Sequence, residues 1–285
     1  MKSFCLAVLL LILANPAAAS DLKVATWNLE WLTRRPQGDP ALPQDVTPKR
    51  AEDMPLLSRY VQMLDADVVA LQEVDGPEAA TPIFPPDRWN LFFTNDSVVQ
   101  RVGFAVRRGL TVERNPDLVA LAADPRAPHR LRSGADITVL LAGARLRLLA
   151  IHLKTGCNEA NLGSASNNCR TLRAQVAPLQ GWIAQRRNEG VPFVILGDFN
   201  RVMDGPDELL AALNTAAPLS RATEGRSTPC WGGNTFIDHI LAGGPARAWM
   251  RPETMRVLVY RETDRAMQEH LSDHCPVSVR FSIPE

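Results

Sequence analysis

The chain has 285 residues, 46% of them hydrophobic and 22% charged, with 31 Lys+Arg against 31 Asp+Glu and a formal net charge of zero. That length and apolar content suit one large domain with a sizeable core. The balanced charge excludes capture of a polyanion by bulk positive potential, and the local basic clusters (Arg34-Arg35, Lys49-Arg50, Arg126 to Arg132, Arg186-Arg187) read as solvated faces.

Residues 1–19 read as a secretory leader. Lys2 supplies the positive start, residues 4–14 the apolar run, and Ala17-Ala18-Ala19 before Ser20 the small-residue cleavage pattern. The competing reading, a buried N-terminal helix, lacks the polar face such a helix would show. The apolar run is too short to span a bilayer, and no cysteine follows it at a lipid-attachment position. The expectation is a secreted or periplasmic monomer without a stable membrane anchor, in which residues 20–285 form a single catalytic domain. Loss of Lys2 with the leader leaves one net negative charge.

In the remaining chain, residues 24–27 read as a first strand that runs into Asn28-Leu29-Glu30. Residues 33–46, rich in Pro, Arg and Gly, form a loop. Thr47-Pro48 start a helix, with Thr as N-cap and Pro in the first turn, and Leu56, Leu57, Tyr60, Val61 and Leu64 form its apolar face. Residues 67–71 read as a buried strand ending at Gln72-Glu73. Strands follow at 89–94, 102–107, 137–141 and 146–153, the last two joined as a hairpin by Ala142-Gly143-Ala144. A helix over about 170–188 turns Leu172, Val176, Leu179 and Ile183 inward and is kinked by Pro178. A strand at 192–196, a short helix at 207–213 and strands at 236–241, 255–260 and 277–283 complete the chain. Helical crossovers mixed with hairpins predict an α/β protein with mixed sheets. So many strands overfill one open sheet, so two sheets packed face to face, with helices outside, are expected.

The most informative stretch is Ile195-Leu196-Gly197-Asp198-Phe199-Asn200, an apolar strand that delivers a carboxylate and an amide two residues apart. On an extended backbone Asp198 and Asn200 point to one side. Ser272-Asp273-His274 stands just before the last strand, and Asn28, Glu73 and His152 end upstream strands. Polar residues that repeatedly terminate apolar strands predict one site at the edge of a sheet.

In order along the chain, Trp27-Asn28, Gln72-Glu73, Ile151-His152-Leu153-Lys154, Gly197-Asp198-Phe199-Asn200, Ile237-Asp238 and Ser272-Asp273-His274 resemble the motifs of the endonuclease/exonuclease/phosphatase superfamily, which includes deoxyribonuclease I. The resemblance spans nearly all of residues 20–285. It implies a four-layer α/β sandwich and divalent-metal-dependent phosphoester hydrolysis.

Residue chemistry agrees with that implication. Oxygen ligands such as Glu73 and Asn28, joined by Asp273, suit Mg²⁺ or Mn²⁺, which offsets phosphate charge. His274 is expected to take the proton of the attacking water, oriented by Asp238; Asp198 is the alternative acceptor that the superfamily offers. Asn200 positions phosphate or water, and His152 donates to the developing charge. Arg132 is expected on the substrate phosphate, with Arg130 equally placed by spacing. His239 should point away from the site and be structural; His129 and His270 receive no role. Trp231 is either a core tryptophan beside a disulfide or a stacking platform.

Some superfamily features are missing. Thr235-Phe236 stands where abasic-site endonucleases carry Trp-Arg, residues 97–101 lack the phosphate-contacting tyrosine of deoxyribonuclease I-like members, and no long aromatic hairpin of the sphingomyelinase kind is evident. The reading is an exported, metal-dependent phosphodiesterase, a nonspecific endonuclease acting on nucleic acid. One alternative is a phosphatase or phospholipase C-type hydrolase of phosphorylated lipids or inositols. Another is a non-catalytic binding module, against which the intact Glu73, Asp198, Asn200, Asp238 and His274 argue.

Cys5 leaves with the leader, and Cys157, Cys169, Cys230 and Cys275 remain. An even count in an exported chain favours disulfides, and no CxxC spacing marks a zinc site. Four cysteines allow three connectivities. Cys157–Cys169 is expected because the two bracket the polar loop after His152. Cys230–Cys275 is expected because Asp238 and His274 must touch, which brings their neighbouring segments together.

Overall fold

Strand β1 (Ser20–Leu32) buries side chains on both faces, Leu22 and Val24 in one core and Ala25, Trp27 and Leu29 in another. A strand covered on both sides belongs at the centre of a layered fold. The computed structural model describes residues 20–122, 130–141, 143–233 and 235–284. The leader expected at residues 1–19, and with it Arg126, His129 and Ala142, lie outside these residues.

Two six-stranded sheets form the structure. The first comprises β1, β2 (Val68–Val74), β3 (Trp89–Phe93), β4 (Arg101–Arg107), β11 (Met250–Val257) and β12 (Val277–Ile283), in the order β11-β12-β1-β2-β4-β3. The second comprises β5 (Thr111–Arg114), β6 (Ala135–Leu141), β7 (Ala144–His152), β8 (Phe193–Asp198), β9 (Leu219–Arg221) and β10 (Asp238–Gly243), in the order β5-β6-β7-β8-β10-β9. Each sheet has a parallel pair at its middle, β1–β2 and β7–β8, with antiparallel neighbours on either side. Both pairs therefore end at strand C-termini side by side, and those ends carry Asn28, Glu73, His152 and Asp198.

Alternation along the strands builds the layers. Val68, Phe104 and Val279 of the first sheet meet Leu148, Val194 and Ile240 of the second in the central core. The outer face of the first sheet packs Trp27, Val69 and Leu71 against Leu57, Tyr60, Val61 and Leu64 of α1 (Met54–Leu64). The outer face of the second packs Leu149, Ile151 and Ile195 against Leu172, Leu179 and Ile183 of α3 (Asn167–Glu189) and Leu209 and Leu213 of α4 (Glu208–Asn214). The short α2 (Pro77–Ala80) lies beside β2 and β3, and α5 (Ala246–Trp249) beside β10 and β12. The expected four-layer α/β sandwich is what forms. No helix among the described residues is long and apolar enough to cross a membrane.

Several element boundaries differ from the sequence reading. The first helix begins at Met54, not at Thr47-Pro48. Pro55 is the proline that fits its first turn, while the preceding segment is tied down by Lys49, whose buried ammonium pairs with Glu30. The long helix runs through Pro178 as one element and starts at Asn167, where Ser166 accepts a hydrogen bond from the Cys169 amide. The expected strand at 255–260 is β11, shifted five residues toward the N-terminus. It is an edge strand, which tolerates Pro252 and a register shift between Arg251 and Arg256. β5 and β9 are short edge strands with little buried surface, so no apolar alternation marked them. Asn28 stands four residues before the end of β1 and Glu73 one before the end of β2, both at irregularities of the ladder.

Candidate active site

The site is built where the two sheets meet at the C-terminal ends of their parallel pairs. In the first sheet, the register shifts between Asn28 and Leu32 and between Leu71 and Val74. Glu73 adopts a left-handed backbone, φ +59°. Such bulges re-aim side chains, and this one turns the Glu73 carboxylate toward Asn28. The Asn28 amide nitrogen donates to Glu73 Oε1 and to Asp198 Oδ2, each at 3.1 Å, and thereby bridges the sheets. Its oxygen accepts from the Glu30 backbone N–H at 2.9 Å.

In the second sheet, His152 and Asp198 are register partners on β7 and β8. His152 Nε2 lies 3.4 Å from Asp198 Oδ2 and 3.7 Å from Glu73 Oε1. Asn200 follows the strand in a left-handed conformation, φ +49°. Its N–H donates to Asp198 Oδ1 at 2.7 Å and its amide to Asp198 Oδ2 at 3.2 Å. Asp198 and Asn200 thus converge through a turn rather than through strand alternation. Across the ladder, Asp238 opens β10 opposite Asp198.

The His274 imidazole accepts this geometry from a separate segment. His274 Nδ1 is 2.7 Å from Asp238 Oδ2, and its Nε2 is 3.8 Å from Asp198 Oδ2. Ser272, fully buried, donates to the Asn28 carbonyl at 2.7 Å and accepts from the His274 N–H at 3.0 Å. Tyr260 donates to the His274 carbonyl at 2.7 Å and accepts from Trp27 Nε1 at 2.9 Å. Trp231 is half-buried, donates to the Ser272 carbonyl at 2.9 Å and packs on Tyr260 with ring centroids 5.4 Å apart. The disulfides Cys157–Cys169 and Cys230–Cys275 are both formed, and the second braces the same segment from the residue after His274.

Burial decides the electrostatics. It pushes the Asp198 carboxyl up to about 7, with the Asp238 and Glu73 charges adding and His274 and the Asn200 N–H opposing. Burial favours a neutral His274 ring, but the Asp238 charge and hydrogen bond override it and hold the imidazole well above the ordinary histidine value. His152 is held well below that value by burial, Arg132 and His274. Asp198, Asp238 and His274 bring one ligand atom each to within 4.8 Å of one another. This group coincides with the expected acid–base residues, not with the expected ligands Asn28, Glu73 and Asp273. Asp238 Oδ1 and His152 Nδ1 are buried with no hydrogen-bond partner among the described residues. Crowded carboxylates, one with an orphaned buried oxygen, fit a hard divalent cation.

Opposite the carboxylates, Arg132 is buried in the wall of a cavity of about 440 Å³ that also exposes Glu73, His152, Asp198, Asn200, Asp273 and His274. Arg130 is exposed at its rim, and Lys154 lines it too. Both candidate arginines therefore line the site, Arg132 buried and Arg130 exposed. His239 is buried away from it, its Nε2 on the Arg201 carbonyl at 3.0 Å and its Nδ1 on the Thr223 hydroxyl at 2.8 Å, as a structural residue should be. His270 sits 3.2 Å from Asp53 outside the cavity. Sequence reasoning missed the Lys49–Glu30 pair, whose Glu30 carboxylate also accepts from the Asp273 N–H at 3.1 Å. Burial lowers the Lys49 ammonium and raises the Glu30 carboxyl, each opposed by the other's charge. Lys49 had read as surface charge; only its total burial marks it.

The sequence profile of the Endonuclease/Exonuclease/phosphatase family matches residues 25–274. No curated protein matches the chain. Among solved structures, D. rerio TDP2 complexed with single-strand DNA product superposes with a TM-score of 0.60 at 16% identity, covering 92% of this chain and 99% of that one. The human Nocturnin catalytic domain with bound sulfate has a TM-score of 0.60, 16% identity, and coverage of 92% and 94%. The 3′ phosphatase NExo from Neisseria, bound to product DNA hairpin, has a TM-score of 0.57, 19% identity, and coverage of 91% and 99%. At these identities the likeness is one of fold.

Proposed function

The chain belongs to the endonuclease/exonuclease/phosphatase family, and from that premise we propose that it is an exported, divalent-metal-dependent phosphodiesterase that cuts nucleic acid with little sequence preference. The observation that carries this reading is the single cavity in which carboxylates Glu73 and Asp198 and the Asp238–His274 pair face Arg130, Arg132 and Lys154. The cations of this cavity suit the anionic diester, and its acid–base groups suit the hydrolysis. Export is supported by the leader-like residues 1–19 and by the two disulfides, which persist in oxidising compartments.

Glu73, oriented by Asn28 and facing the same cavity as Asp273, would hold Mg²⁺ or Mn²⁺, whose charge offsets that of the phosphate oxygens. Arg132 and Arg130 bind and orient the phosphate. His152 donates from Nε2 to the charge that develops on it. The proton of the attacking water enters the chain of Asp198, His274 and Asp238, linked at 3.8 and 2.7 Å. Asn200 locks Asp198 in place with two hydrogen bonds.

The test is one panel: plasmid DNA, RNA, sphingomyelin and inositol phosphates, each with Mg²⁺, Mn²⁺, Ca²⁺ or chelator. DNA or RNA should be cut with Mg²⁺ or Mn²⁺, more slowly as salt rises, and not at all in chelator. Glu73→Gln should weaken the metal dependence severely. Hydrolysis of lipid or inositol phosphates alone would move the assignment to the phosphatase or phospholipase reading. Full activity in excess chelator would remove the metal, and inertness on every substrate would favour a binding module.

A further inference from the structure

A second cavity, of about 570 Å³, adjoins the catalytic one and shares Gln100 and Arg130 with it. Its walls are Trp31, the stretch from Pro40 to Pro43, and Ser97 to Val99. The backbone is arranged to place Trp31 there. Glu30 and Trp31 are consecutive left-handed residues, φ +42° and +59°. The resulting bulge turns Trp31 away from the apolar face that buries Leu29 and Leu32. Left-handed backbone at a bulky residue costs energy and persists where the surrounding structure imposes it. Trp31 remains half-buried, with an aromatic surface open to the cavity. Two prolines stiffen the facing wall, so the cleft is preformed.

We propose that this cavity is the subsite for the nucleobase beside the scissile phosphate, with Trp31 as its stacking platform. The proposal rests on the nuclease reading above. Its occupant follows from continuity. For a diester whose phosphate lies among Glu73, Arg132 and His274, the shared wall of Gln100 and Arg130 is a direct route for one of its two substituents. Arg130, which donates to the Ser97 hydroxyl at 3.2 Å, lines both cavities and so stands at the passage between them. An aromatic face with apolar walls and a few hydrogen-bonding groups suits a flat heterocycle. Because every base has a π-face, stacking of this kind tolerates any sequence.

The experiment compares kcat and KM of wild type, Trp31→Ala, Trp31→Phe and Val98→Asp in Mg²⁺ or Mn²⁺. The substrates are a dithymidine phosphate and its two analogues lacking one base or the other. Trp31→Ala should raise KM about tenfold on the intact dinucleotide, with kcat nearly unchanged and Trp31→Phe close to wild type. Val98→Asp, a loop change outside the acid–base residues, should raise KM as well. On one of the two base-deleted analogues wild type and Trp31→Ala should become equivalent. Native KM for both Trp31→Ala and Val98→Asp on a dinucleotide that wild type hydrolyses would overturn the subsite alone. So would a loss confined to kcat, which would make Trp31 a support for Glu30 and Asp273. A wild type that hydrolyses no nucleic acid would overturn the nuclease reading and this subsite with it.

Discussion

Ser272 shows how much positioning a single small side chain can do. Its hydroxyl ties the Asn28 carbonyl of the first sheet to the N–H of His274, so it sets the imidazole against both Asp238 and Asp198. Ser272→Ala leaves a buried carbonyl and a buried amide without their partner, which costs about 2 kcal/mol. Unfolding in urea should show that loss, and turnover should fall about tenfold with KM unchanged; native turnover would deny Ser272 a positioning role. His239 makes a second prediction. Burial pushes its ring down to about 4, with the Arg221 charge adding and the Arg201 carbonyl and the Asp238 charge opposing. An unfolded histidine titrates near 6.5. Between these values the unfolded chain binds a proton that the native ring refuses. The contribution of His239 is therefore complete above pH 6.5, declines as pH falls, and levels off below about 4, a span on the order of 3 kcal/mol. Urea unfolding at pH 7 and 4.5 should show a smaller pH dependence for His239→Gln than for wild type; equal dependences would place the acid sensitivity elsewhere.

At the scale of elements, the site depends on two parallel pairs that end together. The β7–β8 pair permits this only because Gly197 lies against β7. A Cβ there would sit 2.0 Å from the Ile151 carbonyl oxygen, and its φ of +146° is one that side chains rarely adopt. Gly197→Ala must push β7 and β8 apart at the Ile151–Gly197 rung, next to the one that sets His152 beside Asp198. The expected cost is about 3 kcal/mol of stability and most of the activity, read by thermal unfolding and by turnover; an active, stable variant would show that the strands can relax. In the first sheet the devices are bulges. Five of the six described non-glycine residues with left-handed backbone, Glu30, Trp31, Glu73, Asn200 and Trp231, lie at or beside the site. Backbone strain gathers where side chains must be aimed.

At the scale of the molecule, the two disulfides brace different flanks of the same cavity. Cys230–Cys275 closes a span of 45 residues and Cys157–Cys169 one of 12. Chain entropy alone assigns them about 4 and about 3 kcal/mol. Paired Cys→Ser variants should therefore lower the unfolding temperature in that order. They should also differ kinetically. Loss of Cys230–Cys275 should reduce kcat through His274, whereas loss of Cys157–Cys169 should act on KM through Thr155 and Asn158 of the cavity wall. If both pairs altered the same kinetic constant to the same extent, the division of labour between the flanks would be wrong.

Much of this protein was legible before folding. The apolar runs at 24–27, 192–196 and 277–283 announced buried strands. The polar residues placed after or within such runs announced a site, because a buried strand tolerates Asp198 or His152 only where something needs them. Two sheets packed face to face with helices outside followed from strand number, the Cys157–Cys169 pairing from the loop it brackets, and the Cys230–Cys275 pairing from the expected contact of Asp238 with His274. Local pattern could not show the start of α1, since Pro48 and Pro55 both satisfy the first-turn rule and only the Lys49–Glu30 contact excludes the former. Nor could it show the exposed edges β5 and β9, which bury too little to need apolar alternation. The bulges that aim Glu73 and Trp31 stayed hidden as well, because their left-handed residues carry no glycine to betray them. Periodicity reports how much of each residue is buried. Tertiary structure decides which buried charges meet, because a pairing such as Lys49 with Glu30, or Asn28 with Asp198, depends on contacts between segments far apart in the chain.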